Sequence, residues 1–347
     1  MTLEPPFDAI DRGGMAARIE AIPDQIEQQL ERLHGFRWQL PAAPEWLAVG
    51  AMGGSAIAGE LSAALYDDRI PRPLLRVRDS AWPACVRLGG VALLSSYSGG
   101  TEETLSAYDD AVARGAQRLV ATTGGELAER ARADGVPVIP MPSGFQPRAA
   151  VGYAIVSALE AAAVCGVAPS LRGEVEAAAA LAEELAAEWG PEGAEDNEAK
   201  ALARRLEGTV PVIAGAGPAA AAAYRWKCQV NENAGLPAFA SALPELCHNE
   251  VVGWPAAKSL GRFAAVFLDD SDAHPRNALR TELVAAQTAD WADVVERVAP
   301  RGESELERLV SLVLLGDLVS LYLAVLRGED PVAIAPIDSL KAALAER

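Results

Sequence analysis

Ser96-Tyr97-Ser98-Gly99-Gly100-Thr101-Glu102-Glu103 follows the apolar run Val91–Leu94 and precedes an Ala/Leu-patterned stretch. Its reading decides the fold. A short β-branched run, a turn dense in glycine and hydroxyls, and then a helical pattern form the first half of a βαβ unit. Ser96, Ser98 and Thr101 bring three short hydroxyls to a helix N-terminus, where free N–H groups and the positive end of the dipole favour an anion. Capping alone accounts for one hydroxyl followed by an acid. It leaves the Ser-x-Ser-Gly-x-Thr spacing unexplained.

The same grammar extends in both directions. Upstream, Gly50-Ala-Met-Gly53-Gly54-Ser55-Ala-Ile-Ala-Gly59 joins the run 46–52 to a helical stretch. On its own this motif leaves three readings open. It can be an anion site in which Gly54 and Ser55 bring backbone close to a ligand. It can be a dinucleotide turn with Asp79 on the ribose, although its spacing is not GxGxxG. Its glycines can also serve packing alone. Further strands are expected at 74–78, 91–96, 118–122 and 136–140, with helices after Ser55, Thr101 and Glu126. Thr122-Thr123-Gly124-Gly125 is a second polar turn of the same kind.

A long Ala/Glu-rich helical region from Val151 to Trp189 is broken near Ser170–Arg172, and Gly190-Pro191-Glu192-Gly193 carries boundary chemistry. Past a helix near Ala199–Leu206 the alternation restarts, with strands expected at 210–214, 263–268 and 293–298. The expected organisation is an N-terminal helical segment over 1–40, one α/β subdomain over 41–190 and a second over 191–347. Each is a parallel sheet flanked by helices in a flavodoxin-like three-layer sandwich.

Composition narrows the ligand. The 347 residues carry 30 Lys and Arg against 48 Asp and Glu, a formal charge of −18. Nucleic acid and anionic membranes are therefore poor partners, since both are held by cations. A phosphate must be gripped by local N–H and hydroxyl donors. Leu309–Leu326 is nearly continuous in apolar residues, but Asp317 sits in its middle, so a central packing helix is expected rather than a membrane span. MTLEPPFDAI lacks the basic and apolar regions of a secretion signal, and the expected location is cytoplasmic. Cys85, Cys165, Cys228 and Cys247 form no CxxC pair, and reduced, mostly buried thiols are expected. The three histidines lie far apart, which disfavours a zinc site.

Two further regions carry chemistry. Pro142-Ser143-Gly144-Phe145-Gln146-Pro147-Arg148 is a rigid approach ending in a cation placed in the first turn of the next helix. That position opposes the dipole, so either Arg148 stabilises charge on a reacting oxygen or it pairs with a nearby acid at the surface. Lys227-Cys228-Gln229-Val230-Asn231-Glu232-Asn233-Ala234-Gly235 puts an acid between two asparagines at a helix C-terminus. The dipole disfavours negative charge there, a useful property in a general base. Leu246-Cys247-His248-Asn249-Glu250 follows; alone, His248 is equally an ordinary surface group.

Together the hydroxyl loop, the Asn-Glu-Asn turn and the later histidine resemble the bifunctional phosphoglucose/phosphomannose isomerases, built from SIS-type phosphosugar-binding domains. The resemblance runs from Gly50 to Lys341. It implies a metal-free, cofactor-free aldose–ketose isomerase acting on hexose 6-phosphates, in a homodimer with its active site near the interface. By the resemblance, Gly54, Ser55, Ser96, Ser98 and Thr101 hold the phosphate and Glu232 moves the proton between C1 and C2. Arg148 stabilises the enediolate, and His248, from its own or a partner subunit, assists ring opening. Ile337-Asp338-Ser339-Leu340-Lys341 resembles the closing helix whose lysine helps at the ring oxygen.

There are two departures. Gly100 stands where relatives often have Asn, and Val332-Ala333-Ile334-Ala335 lacks a hydroxyl that relatives carry upstream of the lysine, which makes glucose 6-phosphate the firmer substrate. The rivals are a non-catalytic SIS module that senses sugar phosphates, a hexosamine synthase half needing an attached glutaminase domain, and a nucleotide-dependent oxidoreductase.

Overall fold

Among the described residues, nine parallel strands form two sheets, in the orders β2-β1-β3-β4-β5 and β7-β6-β8-β9. The computed structural model describes residues 2–270 and 272–346. In chain order the elements are α1 (Met15–Glu20), α2 (Ile22–Arg32), β1 (Leu47–Ala51), α3 (Gly53–Tyr66), β2 (Leu74–Val77), β3 (Val91–Ser95), α4 (Glu102–Ala113), β4 (Gln117–Thr122), α5 (Gly125–Ala133), β5 (Val138–Pro140), α6 (Val151–Val164) and α7 (Arg172–Trp189). There follow α8 (Glu198–Leu206), β6 (Val210–Ala216), α9 (Pro218–Asn233), β7 (Phe239–Leu243), α10 (Ala257–Leu260), β8 (Phe263–Leu268), α11 (Pro275–Thr288), β9 (Val294–Val298), α12 (Glu305–Arg327) and α13 (Ala335–Ala345).

The first sheet has the strand order of a doubly wound flavodoxin-like unit, and the second repeats it one strand short. β1 and β3 are buried along their whole length, as expected of strands covered on both faces. The register Leu47↔Val91 to Ala51↔Ser95 brings the ends of β1 and β3 level. The turns that follow, at 52–55 and 96–101, therefore open at the same edge. Ligand crevices of open α/β sheets form at that edge.

The chain divides into two units, Ala21–Glu183 with Gly302–Val310, and Met1–Glu20 with Glu184–Arg301 and Ser311–Arg347. This differs from the expected organisation at two places. The expected segment 1–40 is split. α2 buries Ile22, Ile26 and Leu30 in the first unit, with Gln29 donating to the Ser157 hydroxyl of α6 at 3.0 Å. Phe7 instead meets Tyr322 edge-on, with centroids 6.2 Å apart. The expected boundary at 190/191 lies inside the second unit. Tyr322 donates to the Trp189 carbonyl at 2.7 Å, and the Lys200 ammonium donates to the carbonyls of Pro191 and Gly193 at 2.7 and 2.9 Å.

α12 is, among the described residues, the one helix long and apolar enough to cross a membrane, and its apolar window is entirely buried. Asp317 is matched by Arg225 of α9, whose Nε and Nη2 donate to the two carboxylate oxygens at 2.9 and 2.5 Å. The expected packing helix is thus found, with its charge neutralised. The cysteines are free, but only Cys165 is buried, which corrects the expectation of mostly buried thiols.

Candidate functional site

The hydroxyl loop lies between β3 and α4, with Thr101 as N-cap in extended conformation. Its side chains organise one another. Ser96 and Thr101 share a hydroxyl–hydroxyl bond of 2.8 Å, and the Ser96 hydroxyl also accepts from the Gly99 N–H at 3.1 Å. Ser55, in the first turn of α3, accepts from the Tyr97 N–H at 3.1 Å. Ser98 is exposed, and its hydroxyl accepts from the Gly100 N–H at 3.3 Å. The first N–H groups of a helix have no intrahelical partner, so those of α4 add donors to the same loop. An anion with several oxygens is the ligand this donor set fits.

Glycine holds the loop against the neighbouring turn. Gly99 has φ +67°, and a Cβ there would lie 1.9 Å from the Gly124 carbonyl oxygen. Thr123 locks the turn by donating its hydroxyl to the Tyr97 carbonyl at 2.8 Å. The packing reading of the upstream glycines is also met. A Cβ on Gly54 would lie 2.6 Å from the Arg148 backbone nitrogen, and one on Gly50 would lie 2.5 Å from the Trp82 ring.

Arg148 is 3% exposed, which removes the surface-pair alternative. It also sits in a separate 3₁₀ turn, Pro147–Ala149, before α6. The expected place in the first turn of the helix is corrected because Ala150, at φ −99° and ψ 27°, leaves helical geometry between the two. Two side chains that the sequence did not single out hold this turn. Gln25 of α2 donates to the Ala149 carbonyl at 2.8 Å and accepts from the Gly152 N–H at 3.1 Å. The Tyr97 hydroxyl donates to the Pro142 carbonyl at 2.8 Å and accepts from the Phe145 N–H at 3.0 Å. The hydroxyl loop and the Arg148 segment are therefore one braced structure. Phe145 stacks edge-on against Tyr153 at 5.6 Å, and burial raises the Tyr153 phenol above its ordinary pKa.

In the second unit Glu232 is the penultimate residue of α9, half-buried, between Asn231 and the buried Asn233. His248 is exposed at the end of the 3₁₀ turn Glu245–His248, and Lys341 is exposed on α13. A helix end at Glu232 and a helix carrying Lys341 are both present. Upstream of Lys341, a Cβ on Gly13 would lie 2.5 Å from the Val332 side chain, so Val332 packs on the N-terminal segment. The sheet position that carries hydroxyls in the first unit carries Asp269, Asp270 and Asp272 after β8. Carboxylates repel phosphate, so among the described residues the hydroxyl loop of the first unit suits an anion better than this turn. Among the described residues no group of three or more His, Cys, Asp or Glu side chains could hold a metal ion.

Residues 195–344 match the model of the bacterial phospho-glucose isomerase C-terminal SIS domain. The bifunctional phosphoglucose/phosphomannose isomerase of Caldicellulosiruptor bescii is 39% identical over 329 residues, covering 94% of this chain and 97% of that protein. The protein of the same name from Aquifex aeolicus is 34% identical over 291 residues, covering 84% and 87%. Among solved structures, the C-terminal domain of glucosamine-fructose-6-phosphate aminotransferase from Francisella tularensis superposes with a TM-score of 0.69 at 13% identity, covering 90% of this chain and 96% of that one. At that identity the likeness speaks for the fold alone.

Proposed function

The chain belongs to the bifunctional phosphoglucose/phosphomannose isomerase family, and on that premise we propose that it interconverts glucose 6-phosphate and mannose 6-phosphate with fructose 6-phosphate. Ser55, Ser96, Ser98 and Thr101, with the N–H groups opening α4 and the backbone at Gly54, hold the phosphate. His248 and Lys341 open the ring. Glu232 removes the proton from C2 of the open aldose while the carbonyl oxygen at C1 takes up the negative charge. The electron pair of the broken C–H bond stays in the sugar as a cis-enediolate, so the reaction needs no electron acceptor. Arg148 offsets the charge, the hydroxyl proton passes from O2 to O1, and Glu232 returns its proton to C1 to give the ketose. Phosphate binding supplies energy remote from the reacting carbons that orients them for transfer.

The observation that carries this reading is the bracing of the hydroxyl loop to the Arg148 segment through Tyr97. A phosphate grip and a buried cation on one rigid piece suit an anionic substrate that gains charge as it reacts. The mannose assignment rests on the names of the relatives, since Val332–Ala335 brings no hydroxyl. The same reading includes a cytoplasmic homodimer. Ile337, Leu340 and Leu344 leave α13 with an apolar face that is 38%, 62% and 59% exposed, and a second copy covers it. Purified protein given fructose 6-phosphate, with the two aldoses scored separately, should yield both. Phosphosugar binding without any aldose would reduce the protein to a sensor.

A further inference from the structure

Four contacts run along the seam between α9 and α12. Trp226 donates its indole N–H to the Leu312 carbonyl at 2.7 Å, and a Cβ on Gly316 would lie 2.2 Å from that nitrogen, so the helices meet closely there. Arg225 pairs with Asp317 beside it. Nearer the end of α9, Asn233 Nδ2 donates to the Ser320 hydroxyl at 2.9 Å, and that hydroxyl donates to the Asp317 carbonyl at 2.7 Å. Past the last turn, Arg327 Nε donates to the Ala234 carbonyl at 2.9 Å.

Apolar packing can hold a helix without fixing its rotation, because dispersion and hydrophobic contacts are non-directional. Hydrogen bonds to buried amides are directional, and breaking one strands a buried polar group. Asn233 and Ser320 are 1% and 0% exposed, and their bond sits one residue past Glu232. On the other side, Asn231 accepts from the Ala238 N–H at 2.9 Å. These bonds fall on the two neighbours of Glu232 and fix the backbone on either side of it.

We infer that Ser320 and Arg327 are positioning residues that fix the last turn of α9 and so aim the Glu232 carboxylate. The inference rests on Glu232 being the base. Neither residue needs to touch the sugar. Misplacing a reacting group by about 1 Å costs on the order of 10²-fold in rate, so the expected signature is lost turnover with intact binding.

The test measures kcat and KM with fructose 6-phosphate for Ser320→Ala, Arg327→Met and Arg327→Lys, and for Ser320→Ala combined with Glu232→Gln. Ser320→Ala and Arg327→Met should each lower kcat by about 10- to 10²-fold while KM moves less than about twofold. Arg327→Lys should recover most of that loss. Within the Glu232→Gln background, Ser320→Ala should lower the residual rate no further. An unchanged kcat, or the same fractional loss with and without Glu232, overturns the inference while the inactivity of Glu232→Gln upholds the base. Full turnover by Glu232→Gln itself overturns both. Should Ser320→Ala fail to fold, Arg327→Met at the partly exposed end of α12 reads the same quantity.

Discussion

Gly125 stands so close to Ser98 that a Cβ on the glycine would lie 2.5 Å from the Ser98 carbonyl oxygen. The two polar turns at the edge of the first sheet therefore form one layer of backbone, and the proposed grip on phosphate depends on both. Gly99 and Gly125 have φ +67°, whereas Gly100 has open space around it. Gly99→Ala and Gly125→Ala should each raise KM for hexose 6-phosphates by about tenfold or more, since strain of roughly 1–3 kcal/mol enters the loop. Gly100→Ala should leave KM within about twofold. Steady-state kinetics on the three variants checks the ranking.

Tyr97→Phe removes the hydroxyl that bridges Pro142 and Phe145. Two backbone groups then lose their partner, at roughly 1–3 kcal/mol, and the Arg148 segment loosens from the loop. The expected result is a kcat reduced about tenfold or more with a smaller change in KM. A melting curve should show a modest loss of stability alongside.

Arg225 and Asp317 are 1% exposed each. Arg225→Met should destabilise the protein by about 3–5 kcal/mol, because a carboxylate is left buried without its cation. Asp317→Leu added to Arg225→Met should return most of that loss. Thermal unfolding of the single and double variants measures the difference.

Ser304 and Glu307 form a capping box at the start of α12. The Ser304 N–H donates to the Glu307 carboxylate at 2.7 Å, and the Glu307 N–H donates to the Ser304 hydroxyl at 3.2 Å. These bonds hold the Glu307 carboxyl below its ordinary pKa. A depressed carboxyl contributes stability that is full above its unfolded value of about 4.3 and fades as the pH falls through the lower folded value. The melting-temperature gap between wild type and Glu307→Ala should therefore be widest near neutrality and narrow below about pH 4.

Much of this was legible from residues alone, for physical reasons. Buried parallel strands are short apolar runs, and eight of the nine were readable as such. Phe239–Leu243 escaped because it is an edge strand in an Ala/Ser-rich stretch, with Phe239 exposed and only Leu243 buried. The hydroxyl loop was readable because its donors are adjacent in sequence. Gln25, Ser320 and Arg327 were not, because their meaning comes from contacts at separations of 124, 87 and 93 residues. The 3₁₀ turn that buries Arg148 was missed for a related reason. A cation before a helix resembles a surface charge until the partners of its backbone are known.

The central claim is that Glu232 carries a proton between C1 and C2. Its most direct test follows deuterium entering fructose 6-phosphate and the aldoses from heavy water by NMR, with wild type and Glu232→Gln side by side. Wild type should place deuterium at C1 of the ketose and C2 of the aldoses. Glu232→Gln should place none while fructose 6-phosphate still raises its melting temperature. Exchange by the variant at a rate near that of wild type would contradict the account.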